Sequence, residues 1–569
     1  MNKTLLTFII LFFLVVVKVS PQVNRETRAV WVSTNFRLDW PPPTYDQERQ
    51  KKSLVDILDN IKSKNLNSVY FQVRSNGTVL FKSSFEALSP YITGKVGGTA
   101  DYDPLAFAIE QAHKRGLEIH AWINTVRCFA GTETSTLNDS NHIFVRKPGW
   151  VIEGNQGGQK SYWLDPGLPE VREYLSDMFE ELAANYDLDG IHLDFIRYPG
   201  KNFDDDFSYN VYSGGLDRDE WRRNNITSLI ELISKKVKAV KRLMKIGAAP
   251  IGVYKNQKGM YGWEGYNEVY QDAHAWLQKG LLDYITPQIY WSFKDNTRFD
   301  LLAKEWVDNS FGRSVVLGIG AYKDDVKLEI EKMIEYSRAV DADGVAFFRY
   351  SNIKDYDFQN FQHKTYPPLM AWLNGIYPQS PTNLEITKSG TIPKLITLSW
   401  DDHNPDSCDS LRYYALYSLP HYTSELLPDY LFDVIPAERS SVVLAIEQPK
   451  KVNYFFTLKS VSKLWNESIE SSNIVNVNFD ELNLLSGISY IPDKPVLIKE
   501  KDNIPIILLY SRINEEIEIS GIRLNGELYT TKTELTTGKN IIALQLRLEE
   551  VSLLRIKYLV SGKEVELKL

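Results

Sequence analysis

A carboxylate stands where the chain otherwise places apolar residues. Residues 187–199, DLDGIHLDFIRYP, contain a run of the kind that fills a strand buried on both faces, and that run ends in Asp194. An ionisable group at such a strand end is costly unless it is paired or put to use. His192, Arg197 and Tyr198 surround it in sequence, and His192 and Asp194, two residues apart, share one face of the strand. The chemistry on offer is acid, base or nucleophilic work by a carboxylate, against a competing reading in which Asp194 only pairs with Arg197.

One carboxylate does not complete the bond cleavage to which such groups are best suited. Cutting a glycosidic bond takes two, one to protonate the leaving oxygen and another to attack the sugar or activate water. The second must come from a different strand or loop end, and Asp39, Glu264 and Asp272 are the candidates. Glu264 lies between aromatics in YGWEGYN, where partial desolvation would raise its pKa into an acid's range. Asp272 precedes a helix, whose dipole favours the anion and an orienting role. Asp39 sits before Trp40 and three prolines in a rigid corner that suits either role.

Other mechanisms find less support. The 8 His residues include no H-E-x-x-H or comparable ligand spacing, and the His192/Asp194 pair offers one edge of a metal site at most. No G-x-S-x-G elbow occurs, Cys128 has no evident base, and no glycine-rich phosphate loop follows a strand. Neither a metal nor a cofactor is expected.

These residues need elements to hold them. From residue 27 onward short β-rich runs alternate with longer amphipathic stretches, the pattern of a parallel sheet with crossover helices. Eight strands are predicted, at residues 28–34, 68–74, 117–123, 190–194, 245–250, 284–289, 315–319 and 344–348. The clearest helices cover residues 47–64, 104–116, 169–186, 222–243, 268–280 and 325–340, with apolar residues returning at three and four. Pro104 and Pro169 mark first turns, and Gly116 and Gly280 mark last ones. Eight βα units predict an α/β fold, a (β/α)8 TIM barrel, rather than an open doubly wound sheet.

In a barrel, function collects at the carboxyl ends of the strands. Those ends carry Asn35 and Asp39; Arg74; Trp122, Asn124 and Arg127; Asp194, Arg197 and Tyr198; Tyr254, Lys255 and Asn256; Gln288, Tyr290 and Trp291; Tyr322; and Arg349, Tyr350 and Asn352. Amides, guanidinium groups and aromatic rings in that proportion suit a polyhydroxylated ligand. Two long polar loops, residues 128–163 and 256–267, are expected to wall or cover it.

After residue 372 the composition changes. NGIYPQSPTN reads as a linker, and residues 381–480 then show short alternating strands in which LSW, YYALYS and YFFTLKSVSKLWNES resemble a fibronectin type III module. Residues 482–569 form a further β-rich unit. The expected division is a signal peptide at 1–22, a barrel at 25–375, a fibronectin type III-like β-sandwich at 381–480 and a C-terminal β-rich domain at 482–569.

The start of the chain combines Lys3 with an apolar run over residues 5–17, shorter than the about 20 residues of a membrane span, and reads as an export signal. With 2 cysteines in 569 residues there is no disulfide framework, which fits a bacterial periplasm or cell surface. A formal net charge of -8 gives no reason to expect nucleic acid. Partners are a polysaccharide at the mouth and protein or glycan at the terminal β modules, without a stable membrane span.

Six segments carry a resemblance to a known family: RAVWVSTNFRLDWP, VYFQVRSNGTVLFKSSFEALSPYITG, DPLAFAIEQAHKRGLEIHAWIN, WLDPGLPEVREYL, DGIHLDFIRYP and DYITPQIYW. Over residues 25–373 the chain resembles the glycosyl-hydrolase-like family 10 of bacterial exported proteins. That resemblance implies a TIM-barrel glycosidase acting on peptidoglycan glycan strands, with the strand-four acid at Asp194. It also places Arg74, Asn124, Asp165, Gln288 and Tyr290 in sugar binding or site support, Asp165 serving equally well as a helix-entry cap. Relatives often carry a second Asp directly after the first, where this chain has Phe195, and an aromatic where it has Arg197. The candidate catalytic residues are therefore Asp194, Glu264 and Asp272. Asp39, Arg74, Trp122, Asn124, Asp165, His192, Arg197, Tyr198, Gln288, Tyr290, Trp291, Arg349 and Tyr350 are the candidates for substrate binding.

Overall fold

The computed structural model describes residues 25–131, 137–156, 159–388, 395–404, 411–445, 453–478, 496–499, 505–511, 515–523, 528–535, 538–544, 551–559 and 564–567. The N-terminal apolar segment and Cys408 lie outside the described residues.

Eight parallel strands close on themselves: β1 (Thr27–Val32), β2 (Ser68–Ser75), β3 (Glu118–Asn124), β4 (Gly190–Asp194), β5 (Lys245–Ala248), β6 (Tyr284–Ile285), β7 (Ser314–Ile319) and β8 (Gly344–Phe347). Each pairs with its sequence neighbour, and β8 returns to β1 with Thr27 opposite Gly344. The fold is a TIM barrel. Strand six ends earlier than its sequence suggests because Pro287 has no N–H for a ladder; pairing with β7 resumes over Gln288–Ile289.

Alternation along the strands separates two packing layers. Ile191, Leu193, Ile119 and Ile123 face the helices, while Trp31, Tyr70, Trp122 and Tyr284 fill the interior. Large inward rings are accommodated by small residues opposite. A Cβ on Gly247 would lie 2.1 Å from the Tyr284 ring, and one on Gly190 would lie 2.5 Å from His120.

The crossover helices begin where their caps predict. Asp46 accepts from Glu48 and Arg49 N–H to start α1 (Gln47–Ser63), and Asp103 accepts from Leu105 and Ala106 N–H, ahead of Pro104, to start α2 (Pro104–His113). Next come α3 (Pro169–Asn185), α4 (Arg218–Val240), α5 (Ala273–Gln278), α6 (Phe299–Asp308) and α7 (Ile330–Ala339). The helical pattern at 268–280 shortens to α5, and the one at 325–340 is broken before α7 by Leu328 and Glu329. Gly116 (φ 69°) and Gly280 (φ 67°) adopt the left-handed conformation expected of helix ends.

The loop after β3 is not irregular. It contains an antiparallel sheet of Arg127–Ala130, Gln159–Leu164 and Val151–Gln156.

Beyond the barrel, three antiparallel strands (Thr382–Lys388, Leu395–Asp401, Ser441–Ala445) and four more (Leu431–Pro436, Tyr413–Leu419, Asn453–Val461, Val475–Asn478) enclose a core of Leu398, Trp400, Leu416, Phe456 and Leu458. A further pair of three- and four-stranded sheets, from Val496–Lys499 to Glu564–Leu567, encloses Ile507, Ile519, Leu554 and Ile556.

The first sandwich closes the base of the barrel. Trp465 is buried, stacks on Tyr366 and Tyr413 at 5.3 and 5.0 Å, and donates its indole N–H to Glu118 at 2.6 Å. Lys463 and Arg412 both pair with Asp187 before β4, at 2.7 and 2.6 Å.

Candidate active site at the barrel mouth

Asp194 is the last residue of β4 and points into the barrel on the face shared with His192. The strand stops there because Phe195 turns to φ 48°, a conformation unfavourable for an aromatic residue. The Phe195 N–H donates to Asp194 Oδ1 at 2.7 Å, and two guanidinium groups pack on its ring, Arg127 at 3.4 Å and Arg197 at 5.0 Å.

Three donors converge on the Asp194 carboxyl: Phe195 N, Trp122 Nε1 at 3.0 Å on Oδ2, and Gln288 Nε2 at 3.3 Å on Oδ1. Burial pushes its pKa up, and the Phe195 N–H, Arg127, Trp122 and Arg197 oppose that without cancelling it. The group is thus held above the ordinary value of an aspartate, the direction that favours its acid form. Gln288 reaches it because the break at Pro287 redirects the chain after β6, and the Gln288 amide is also anchored to the Ala249 carbonyl at 3.0 Å.

An amide cluster lies beside this carboxyl. Gln72 Oε1 accepts from Ser33 Oγ, Thr34 N and Asn35 N, and its Nε2 donates to Asn124 Oδ1 at 3.3 Å. Asn124, opposite Asp194 in the ladder, is left with a buried Nδ2 that has no partner, as is Asn35 Oδ1. Buried polar atoms without partners are rare, and here two of them border one mouth.

Aromatic rings make the opposite wall. Phe348 packs against Trp31, Trp122, Tyr290 and Tyr322 at 5.9, 6.2, 5.6 and 6.1 Å. Further out, Phe36, Tyr261, Trp263 and Tyr322 expose their rings on the loops after β1, β5 and β7. Trp291 is half-buried, with Lys323 5.7 Å over its ring.

Not every rim candidate reaches Asp194. Trp122 and Gln288 do; Arg197 acts on it only through its charge, and Tyr290 lies close enough for Asp194 to help raise its pKa, after burial. His192 is deeper: it stacks on Tyr70 at 4.0 Å, accepts from Trp31 Nε1 at 3.0 Å and meets Tyr284 Oη at 3.1 Å. Burial holds it well below its usual pKa and so neutral. Arg74 is fully buried and forms a bidentate pair with Glu86, at 2.7 and 2.6 Å. Asp39 pairs with Arg349 and accepts from Ser351 N at 3.0 Å and Ser33 N at 2.8 Å. Tyr350 stands beside them, its hydroxyl pushed up to about 12 by burial and by Asp39. Tyr198 lies behind the mouth, accepting from Asn225 at 3.1 Å and packed on Tyr270 and Phe203.

The acids proposed as a second carboxyl group are engaged in their own loops. Glu264 accepts from Asn256 N at 2.6 Å and from Asn267 Nδ2, which fixes the neighbouring Trp263 against Arg197 at 4.9 Å. Asp272 accepts from Tyr254 Oη at 2.7 Å and caps α5 through Ala275 N. Asp165 accepts from Gly167 N at 2.8 Å, and burial raises its pKa to about 6. Among the described residues no group of three His, Cys, Asp or Glu side chains is arranged to hold a metal ion.

Several residues of the mouth carried no role in the sequence reading. Arg127 was read only as one of the rim residues suited to a polyhydroxylated ligand, and Trp31, Trp163, Trp263 and Phe348 resembled ordinary packing aromatics. For Trp31 the signal was its inward parity, two residues after Ala29 on the same strand face.

With this geometry in view, comparisons with known proteins are informative. The profile of the family described as glycosyl hydrolase-like 10 matches residues 26–338. Glycosyl hydrolase DigH of Escherichia coli (strain K12) is 34% identical over 340 residues, spanning 55% of this chain and 77% of that protein. Glycosyl hydrolase YngK of Bacillus subtilis (strain 168) is 32% identical over 437 residues, spanning 70% and 83%. Among solved structures, the PgaB (BpsB) glycoside hydrolase domain from Bordetella bronchiseptica aligns with a TM-score of 0.43 at 14% identity, covering 59% of this chain and 99% of that one.

Proposed function

The chain belongs to the glycosyl hydrolase-like 10 family, and we propose that it hydrolyses glycosidic bonds in a cell-wall glycan, with Asp194 as the principal carboxyl group. The observation that carries this reading is the Asp194 environment: an inward carboxyl at the end of β4, gripped by Phe195 N, Trp122 and Gln288 and raised in pKa by burial. Binding alone would not need so perturbed a group at the mouth.

The roles follow from position. Trp122 and Gln288 orient the carboxyl, Asn124 Nδ2 and Asn35 Oδ1 offer unspent hydrogen bonds to sugar hydroxyls, and Trp263, Phe36 and Tyr322 supply stacking faces. Of the second-carboxyl candidates, Glu264 stands next to Trp263, which packs on Arg197, and we assign it that place ahead of Asp272 and Asp39. Peptide-free peptidoglycan strands are the substrate we favour. The apolar segment after Lys3 supports export to the periplasm or cell surface, and the sandwich, read as fibronectin type III-like, and the terminal β sheets would contact protein or glycan there.

A second reading is a glycan-binding protein without turnover. It is favoured by Phe195 standing beside Asp194 where a second acid would be useful, and by the hydrogen bonds that already occupy Glu264 and Asp272. Incubating the protein with peptide-free glycan strands separates the two. Soluble fragments released by the wild type and lost in Asp194→Asn support hydrolysis, whereas tight binding without fragments at any pH between 4 and 9 supports the alternative.

A further inference from the structure

The chain turns sharply after β1, and the turn is strained. Phe36 (φ 54°) and Arg37 (φ 55°) are consecutive non-glycine residues in the left-handed region, a conformation kept only where the surroundings over-determine it. Arg37 is the clamp. Its guanidinium lies over the Tyr45 and Tyr91 rings at 4.9 and 5.7 Å and donates to the carbonyls of Pro42 at 2.7 Å and Tyr91 at 3.1 Å, while Tyr91 Oη accepts from Phe36 N at 3.1 Å. The effect is to hold one side chain outward: the Phe36 ring is 51% exposed, although the neighbouring Asn35 is buried. The loop after β3 passes against that ring, where a Cβ on Gly131 would lie 2.9 Å from Phe36 Cζ. Backbone strain that serves to keep an apolar ring in water is explained by a ligand that covers the ring.

A second exposed ring is fixed across the mouth. Trp263, 40% exposed, lies on the loop after β5, packed on Arg197 at 4.9 Å, and the next residue, Glu264, is tied down by Asn256 N and Asn267 Nδ2. β1 and β5 are four strands apart in a closed ring of eight, so their loops stand on opposite sides of the barrel axis. Between them runs a line of contacts with Asp194 inside it. Asn35 N donates to Gln72 Oε1, Gln72 Nε2 donates to Asn124 Oδ1, and Asn124 lies opposite Asp194 in the ladder. Phe195 follows, with Arg197 over its ring and Trp263 beyond. The unspent Asn35 Oδ1 and Asn124 Nδ2 belong to the stretch between Phe36 and Asp194.

We propose that Phe36 and Trp263 are the two ends of one binding track that crosses the mouth from the β1 loop to the β5 loop, so that the strand is held on both sides of Asp194 and cut at an internal bond whose position these rings set. This rests on the proposed glycosidase reading and adds to it where along the strand the cut falls. Sugar rings present apolar C–H faces that stack on aromatic rings, and the hydroxyls between them meet amide groups. Release of units from a chain end calls for a site closed on one side of the carboxyl group; here an exposed ring stands on each side. Phe36 and Trp263 are thus specificity-determining, and Arg37, which acts through Phe36, is a positioning residue.

The test uses the full-length protein and peptide-free muramyl glycan oligomers of graded length, labelled at one end. The wild type is expected to make internal cuts, read as labelled fragments of intermediate size. Phe36→Ala and Trp263→Ala should move the cuts toward opposite ends of the strand, because each variant gains nothing from sugars on the side that lost its ring. Both should raise KM more than they lower kcat, with KM up roughly 10-fold on long oligomers. Phe36→Tyr restores the platform and should restore the wild-type cut positions, whereas Arg37→Leu keeps the ring but frees the turn and should cut as Phe36→Ala does. Release of end units only, or cuts that move in the same direction or not at all in the two ring variants, overturns the track. Binding to Asp194→Asn reads the track without turnover: affinity is expected to climb with oligomer length and level off once both rings are covered, and affinity independent of length overturns it. That length series is measured with both rings intact, so the result does not depend on how the ring variants fold. Length-dependent binding without hydrolysis by the wild type would leave the track standing and sink the glycosidase reading; hydrolysis from one end alone would do the reverse.

Discussion

Replacing Asp194 with Asn separates a chemical carboxyl from a structural one, because the two roles predict opposite balances of activity and stability. The amide fits the same space. With its oxygen in the Oδ1 position it keeps Phe195 N at 2.7 Å and Gln288 Nε2 at 3.3 Å, but its NH2 then faces Trp122 Nε1, which had donated to Oδ2 at 3.0 Å. One buried donor is orphaned, at a cost of about 1–3 kcal/mol. Against this stands a gain. Asp194 has its pKa raised by burial, so the folded protein holds that proton more tightly than the unfolded chain does. The stability this provides is complete below the unfolded pKa and lost as pH rises through the folded value, leaving the ionised group a net burden at neutral pH. The neutral amide removes that burden. The two effects oppose each other, and the expected stability change at pH 7 is within about 2 kcal/mol, a shift of a few degrees in Tm for a domain of this size. Activity has no such compensation: losing a general acid, base or nucleophile costs about 10²- to 10⁴-fold in rate, or roughly 3–5 kcal/mol of barrier. The assay is release of soluble fragments from peptide-free glycan strands, with thermal unfolding measured on the same preparation. A variant that keeps more than about a tenth of wild-type turnover, or whose activity falls only in step with its folded fraction, would refute the reasoning.

Other perturbations test the surrounding design. Arg74→Leu leaves Glu86 buried and unpaired and should cost about 3–5 kcal/mol in denaturant unfolding; a stable variant with weakened glycan binding would instead make Arg74 a ligand contact. Glu305 is held at about 7 by burial and by Asp308, so its contribution to stability is complete below its ordinary value of 4.5 and disappears as pH rises through 7. Glu305→Gln should therefore be more stable than wild type at pH 8.5, by up to about 3 kcal/mol, and equal to it near pH 5; an identical pH profile for both proteins would contradict the assignment. Trp465→Ala removes a buried ring and the donor on Glu118, and calorimetry should show a loss of about 3–5 kcal/mol with the sandwich melting separately from the barrel.

The barrel was legible because its determinants are local and repeated. Residues 190–194 were read with their observed bounds, and Pro104, Pro169, Gly116 and Gly280 act at the helix ends that their types suggest. The strand-six break was legible only in principle: Pro287 lies within ITPQIY, but the apolar pattern on both sides masked its missing N–H. What stayed hidden was partnership. Nothing in SSFEAL marks Glu86 as the counter-charge of Arg74, twelve residues away across a turn, and nothing in the loop at 128–163 shows that its folding into a sheet carries Trp163 to Arg197. Residue type and strand parity place a side chain at the mouth, whereas its occupation depends on contacts between distant segments. Arg74 and Arg127 therefore looked alike in sequence, although one is fully paired and the other is not.

That contrast extends to the two ends of the barrel. At the base, the charges around the axis are paired: Lys245 with Glu118, His113 with Asp189 at 2.9 Å, and Arg412 and Lys463 with Asp187. Some polar atoms there, Arg412 Nε and Tyr413 Oη among them, lack hydrogen bonds, and the sandwich seals the end with Trp465. At the mouth the order is reversed. Two guanidinium groups lie without an ion-pair partner among the described residues, the Asn124 and Asn35 side chains keep unspent polar atoms, and Phe195 is held in an unfavourable backbone conformation beside the cations. A protein that pairs charges at one end of its barrel has the means to do so at the other. The incomplete pairing around Asp194 thus marks the end where a ligand supplies the missing groups, which is the physical reason for placing the chemistry there.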